Sequence, residues 1–66
     1  ELRDLAVSRR AELRKLAASF LGRHKLHGME EVLLDLVEDR SLMVRRAAFE
    51  SLYKVNPDRF REIVLH

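Results

Sequence analysis

His24, His27, Glu30 and Glu31 are the one grouping in the chain whose residue types suit a metal ion. Two histidines at i and i+3 share a helix face and would make a ligand pair of the sort zinc uses. That geometry needs a continuous helix. Gly28 follows His27 directly, and Arg23-His24-Lys25-Leu26-His27-Gly28 reads as a connection, so the pattern predicts loop histidines in place of a metal centre. Ser8, Ser19, Ser41 and Ser51 have no nearby His and acid to activate a nucleophile. Ser8 and Ser41 suit helix turns instead. The carboxylate pairs Glu30/Glu31 and Glu38/Asp39 are adjacent in sequence and suit solvated helix ends, and no Gly-rich phosphate loop is present. The chain has no Cys, hence no thiolate ligand and no disulfide framework. The expectation is no catalytic residue, no metal and no cofactor.

The elements that would carry any other function are plainer. Val44, Ala47, Ala48, Ser51, Leu52 and Val55 fall at i, i+3, i+4, i+7, i+8 and i+11, which is one face of a helix. The small residues in mid-stripe let a second helix approach closely, while Leu52 and Val55 fill volume. Just upstream, Glu38-Asp39-Arg40-Ser41 offers side chains able to satisfy unpaired amides at a helix start. A tight turn between two helices is predicted there.

This pattern occurs twice. An offset of 31 residues, Asp4 to Asp35, pairs Leu5 with Leu36, Arg9 with Arg40, Arg14 with Arg45, Ala17 with Ala48 and Leu21 with Leu52 as identities. Leu13/Val44, Lys15/Arg46 and Arg23/Lys54 keep chemical type, and Met29/Phe60, Glu31/Glu62 and Val32/Ile63 continue the register. A fixed period of this length holding two helices is the mark of an α-solenoid.

The run Asp39-Arg40-Ser41-Leu42-Met43-Val44-Arg45-Arg46-Ala47-Ala48, followed by Leu52, resembles the turn and second helix of a HEAT repeat, in particular the short variety of phycobilisome-lyase-like proteins. The resemblance implies an all-α fold, a right-handed α-α superhelix of about two HEAT-like repeats. Repeat 1 then spans about 1–25, repeat 2 about 26–56, and a third begins at 57–66. In that family an Asp at the turn and an Arg six residues later form a polar ladder between repeats, and Asp39 and Arg45 match those positions. The first repeat keeps Arg14 but has Ser8 in place of the Asp. Its ladder is therefore either weakened or completed by Arg14 reaching Asp39 of the next repeat. The family also includes a metal-dependent hydroxylase, whose His-Glu dipeptides do not occur here.

Composition agrees with a helical module. A chain of 66 residues with 47% hydrophobic and 36% charged residues is one small domain in which the core barely offsets chain entropy. No apolar run exceeds three residues, as in Val32-Leu33-Leu34, far short of the roughly 20 residues of a membrane span. No signal peptide is visible, and an intracellular setting is the favoured expectation, with the compartment left open. The start at Glu1, inside a repeat, reads as a piece of a longer chain. A net charge of +2 does not by itself argue for nucleic acid.

Along the chain, Leu2, Leu5 and Ala6 read as the end of a first helix, with a break expected at Ser8. The second helix is expected to carry Leu13, Leu16, Ala17, Phe20 and Leu21 inward, with Gly22 near its end. His24, aligned with Val55, is expected to be partly buried and hydrogen-bonded. Gly28 is suited to a positive φ. A helix from about Met29 to Glu38 should bury Met29, Val32, Leu33, Leu36 and Val37. Asn56-Pro57 then sets an N-cap and a first helical residue, and a last helix to about Leu65 should pack Phe60, Ile63 and Val64 on the preceding pair.

Two surfaces remain. Arg9 over Arg40, Lys15 over Arg46 and Arg23 over Lys54 would stack as basic columns able to track a phosphate backbone, offset by the acidic positions Asp4/Asp35 and Glu31/Glu62. Phe49 and Tyr53, four apart on the helix of residues 44–55, stand where the first repeat has Ala18 and Gly22. With Arg46 they suit either packing, between repeats or near Phe60, or the anchoring of a partner peptide or helix. The reading is a non-catalytic scaffold for protein–protein interaction with Arg46, Phe49 and Tyr53 as partner-binding residues. The alternative is a nucleic-acid module contacting phosphate through Arg9, Lys15, Arg40 and Arg46. Self-association through the uncapped ends, around Leu2, Leu5 and Ala6 and around Phe60, Ile63 and Val64, is a further expectation.

Overall fold

The computed structural model describes residues 2–26 and 28–65. They form five helices, α1 (Leu2–Ala6), α2 (Ala11–Arg23), α3 (Glu30–Leu36), α4 (Leu42–Val55) and α5 (Pro57–Val64), with no strand among them. Among the described residues no helix is long and apolar enough to cross a membrane.

The chain breaks between α1 and α2 without Gly or Pro because side chains hold the turn. The Ser8 hydroxyl accepts from Arg10 N at 3.2 Å, and Arg14 Nη1 donates to the carbonyls of Ser8 at 2.8 Å and Arg9 at 3.0 Å. The α3–α4 turn is held the same way. Asp39 Oδ1 accepts from Ser41 N at 2.9 Å, and Arg45 Nη1 donates to Asp39 O at 2.8 Å. Here Asp39 serves the turn and not the first helical amides, and Ser41, the N-cap of α4, makes no side-chain cap bond. At the end of α2 the chain reverses through a paired cap, Leu26 N to Leu21 O at 3.2 Å and Lys25 N to Gly22 O at 3.3 Å. Lys25 takes the left-handed φ of 48° that this cap requires, and Gly28 has φ 88° as its sequence position predicts. Asn56 caps α5 by accepting from Arg59 N at 3.1 Å, with Pro57 in the first turn.

The core lies along the seam between α2 and α4, which Leu21, Val44 and Leu52 fill while Leu33 closes it from α3; all four are at most 1% exposed. The six-residue stripe of α4 is buried throughout, from Val44 to Val55. Burial of each large side chain stabilises by roughly 1.5–3 kcal/mol. What lets the two helices meet is Gly22, the penultimate residue of α2, near its end as expected. A Cβ there would sit 2.6 Å from Ser51 Cβ and 2.7 Å from Ser51 Cα. The Ser51 hydroxyl, carried into this dry contact, donates to Ala18 O at 2.5 Å.

Several expected core positions lie elsewhere. Leu16 and Phe20 are 57% and 43% exposed, and the buried face of α2 is instead Arg14, Ala17, Ala18, Leu21 and Gly22. The reason is rotational. The 31-residue offset maps Leu16 and Phe20 onto Ala47 and Ser51, of which Ser51 faces α2 in the structure, so the same face of α2 points away from α4. Ala6, expected at an open end, is buried, and Met29 is only partly so. On α5, Phe60 and Ile63 pack against the core, but Val64 is 55% exposed because the face it occupies has no element beyond it among the described residues.

Candidate functional site

The side chains with functional potential fall on two faces of α4 and its neighbours. The first is the α2–α4 seam at its polar end. Arg14 Nε and Nη2 hold Asp39 Oδ2 at 2.7 Å and Oδ1 at 3.0 Å, a two-pronged pair whose side chains are 8% and 9% exposed. Of the two completions the sequence left open, this is the pairing of Arg14 with Asp39. The paired hydrogen bonds from Arg14 hold the Asp39 carboxyl below its ordinary value of 3.8, against burial that pushes it up and with help from the Ser41 amide. Arg14 is correspondingly raised, first by its hydrogen bond to Asp39. A second ion pair joins α1 and α3, Arg3 Nη2 to Glu31 Oε1 at 2.6 Å, with both side chains more than half exposed. Its hydrogen bond lowers the Glu31 carboxyl. No buried side-chain polar atom among the described residues lacks a partner.

The second face is a groove of about 630 Å³ between α4 and α5, lined by Arg46, Phe49, Glu50, Tyr53, Lys54 and Phe60. Phe60 stands edge-on to both aromatics of α4, 5.2 Å from Tyr53 and 6.2 Å from Phe49 between ring centroids. All three residues singled out as partner-binding, Arg46, Phe49 and Tyr53, therefore line one groove. Phe49 is half-buried by the contact, whereas Tyr53 keeps 59% of its surface exposed. Packing against Phe60 and an open aromatic wall coexist. Its lining combines two cations, Arg46 and Lys54, with one carboxylate, Glu50, and three aromatic rings, so the groove is mixed in charge and apolar.

Of the four phosphate-contacting candidates, Arg9 and Arg40 line one shallow cavity of about 360 Å³ beside Arg14 and Asp39. Lys15 is exposed on α2, and Arg46 belongs to the aromatic groove. The structure thus brings Arg9 and Arg40 together and places Arg46 on a different surface, with Asp39 inside the cavity the first two share.

His24 departs from its expected place. It is exposed, and its ring lies against Phe20 with centroids 4.2 Å apart. It is the C-cap of α2 and does not follow Val55 inward. His27 lies outside the described residues. Among the described residues no three His, Asp or Glu side chains converge as ligands. What the sequence reading missed is the role of Gly22, although its two-sided signal was present: a glycine in mid-pattern and a serine in the facing stripe.

No protein-family model, no curated protein and no solved structure matches the chain.

Proposed function

We propose that the chain is a non-catalytic helical-repeat module, a right-handed stack of about two repeats of the short HEAT kind, which serves as a scaffold for protein–protein interaction. In this reading α1 and α2 close one repeat, α3 and α4 form a second, and α5 opens a third. The observation that supports it is the duplication of turn chemistry at the 31-residue offset. Arg14 on the Ser8 carbonyl corresponds to Arg45 on the Asp39 carbonyl, and the Ser8 hydroxyl on Arg10 N corresponds to the Asp39 carboxylate on Ser41 N. Two segments that build the same turn from equivalent residues support a repeat reading, and repeats stack by presenting one face to the next. The groove of Arg46, Phe49 and Tyr53 is the surface this stack leaves open.

The competing phosphate-tracking reading draws on Arg9 and Arg40 lining one cavity. Titration of the chain with a short fluorescent duplex, followed by anisotropy at low and high salt, separates the two. The scaffold reading expects no salt-dependent complex. Binding that weakens steeply with salt and disappears in Arg9→Glu/Arg40→Glu overturns it, since each phosphate contact adds nearly one unit to the salt slope.

A further inference from the structure

The arginines that the 31-residue offset repeats at the two turns are of two kinds. Arg14 and Arg45 each donate through Nη1 to a carbonyl of their own turn, so the fold itself accounts for their repetition. Arg9 and Arg40 are repeated as well, yet both are exposed, and among the described residues neither guanidinium takes part in a hydrogen bond or an ion pair. Both line one cavity of about 360 Å³, together with Val7, Ser8, Arg14 and Asp39. The carboxylate in that lining is already satisfied. Asp39 Oδ2 accepts from Arg14 Nε, and Oδ1 accepts from Arg14 Nη2 and from Ser41 N. Arg40 helps to lower that carboxyl from nearby without pairing with it. Arg14 and Asp39 cancel, so among the lining residues Arg9 and Arg40 remain as two positive charges without a counter-charge of their own. Val7, the apolar member of the lining, is 80% exposed.

We infer that this cavity binds an acidic peptide segment of a partner protein, with carboxylates at Arg9 and Arg40 and an aliphatic side chain beside them on Val7. The inference rests on the repeat reading above, and it places the contact at the turns and not on a helix face. Helices of one stack cover one another's faces, whereas the turns lie along an edge that a further repeat extends and leaves open. Charge complementarity names the occupant. Two guanidinium groups without internal partners select anions, and the planar fork of arginine matches a carboxylate through two parallel hydrogen bonds. The remaining surroundings favour a peptide over a nucleic acid. A phosphate backbone needs cations along a continuous track, but Lys15 is exposed on α2 and Arg46 lines the separate groove of α4 and α5. A phosphodiester also has nothing to set against Val7, which an aliphatic side chain covers.

The probe is a short synthetic peptide in which Glu and Leu alternate, compared with one in which Gln and Leu alternate. Binding to the ¹⁵N-labelled chain is followed by NMR. The expected result is that the Glu peptide shifts the backbone amides of Val7, Arg9 and Arg40 and that the Gln peptide binds about tenfold more weakly, as loss of two exposed charge-assisted contacts implies. Arg9→Gln/Arg40→Gln should reproduce that loss while keeping the native circular dichroism spectrum, since neither guanidinium holds the fold. Lys15→Gln/Arg46→Gln removes the same net charge from other surfaces and should leave the affinity within about twofold. Equal losses in the two double variants would reduce the binding to net charge and overturn the inference. So would equal affinity of the two peptides, shifts confined to the α4–α5 groove, or no binding of the Glu peptide at millimolar concentration, and all of these leave the scaffold reading standing. A duplex that displaces the peptide and fails to bind Arg9→Gln/Arg40→Gln would assign the cavity to nucleic acid and overturn both.

Discussion

Two ridges, Arg14–Ala18–Gly22 on α2 and Arg45–Phe49–Tyr53 on α4, have the same spacing and the same anchored arginine, yet one is closed and the other open. On the closed ridge the side chains shrink from arginine to alanine to glycine, so the facing helix is admitted to backbone contact and the arginine finds its carboxylate. On the open ridge aromatic rings fill the two positions, and Phe60 of α5 stands edge-on to both. Side-chain volume at two positions therefore separates an internal seam from an available surface on an otherwise repeated frame. A domain of this length is stable by only about 3–10 kcal/mol, so the closed seam must carry most of that margin.

Truncation is the bluntest way to break the comparison. Leu21→Ala on the closed seam, where the side chain is 0% exposed, should lower stability by about 2–5 kcal/mol, enough to unfold much of the population. Leu16→Ala, on the same helix but 57% exposed, should stay within about 0.5 kcal/mol. Urea denaturation followed by circular dichroism measures both. Equal losses would mean that Leu16 is covered in solution.

Gly22→Ala tests the close approach itself. The added Cβ collides with Ser51, including its Cα at 2.7 Å, and overpacking of this kind costs about 1–3 kcal/mol. Combining it with Ser51→Gly removes the side-chain collision but leaves the backbone one, so the midpoint of unfolding should recover only in part. Full recovery would show that the helices slide apart easily.

The polar end of the seam sets a pH dependence. Asp39 has a lowered carboxyl in the folded chain, so it binds its proton less readily there than when unfolded. Its contribution is complete above its ordinary value of 3.8 and is lost as pH falls through the lowered folded value. Glu31 is lowered too, but its pair with Arg3 is exposed and screened by salt. Measured in high salt, the chain should lose stability below about pH 4, and Asp39→Asn should flatten that slope. An unchanged slope in the variant would remove Asp39 from the closed ridge's machinery.

Much of this was legible in the sequence. The buried stripe of α4 follows from helical spacing alone, the Asn56-Pro57 start of α5 from capping chemistry, and the pairing of Arg14 with Asp39 was one of two completions the repeat left open. What escaped was orientation. Periodicity says that Leu16 and Phe20 share a face with other apolar residues, but not which side of α2 meets α4; that choice is made by Gly22 and Ser51, through a contact between residues 29 apart in the chain. Position His24 escaped for a local reason, since its place as the C-cap of α2 has no strong sequence signature. The Arg46, Phe49 and Tyr53 grouping was visible as bulk replacing Ala18 and Gly22, while its co-wall Phe60 required knowing how α5 folds back.

The smallest effect expected is the one that sharpens the contrast most. Tyr53→Ala removes an edge-on contact at 5.2 Å from a ring that is already 59% exposed, so it should cost about 0.5–1.5 kcal/mol. A double-mutant cycle with Phe60→Ala should return a coupling of that same size, because the ring contact is what the two share. A loss as large as that of Leu21→Ala would make Tyr53 a core residue and the second ridge a seam like the first. A small, coupled loss means that α4 holds an aromatic wall in place at little expense to the fold.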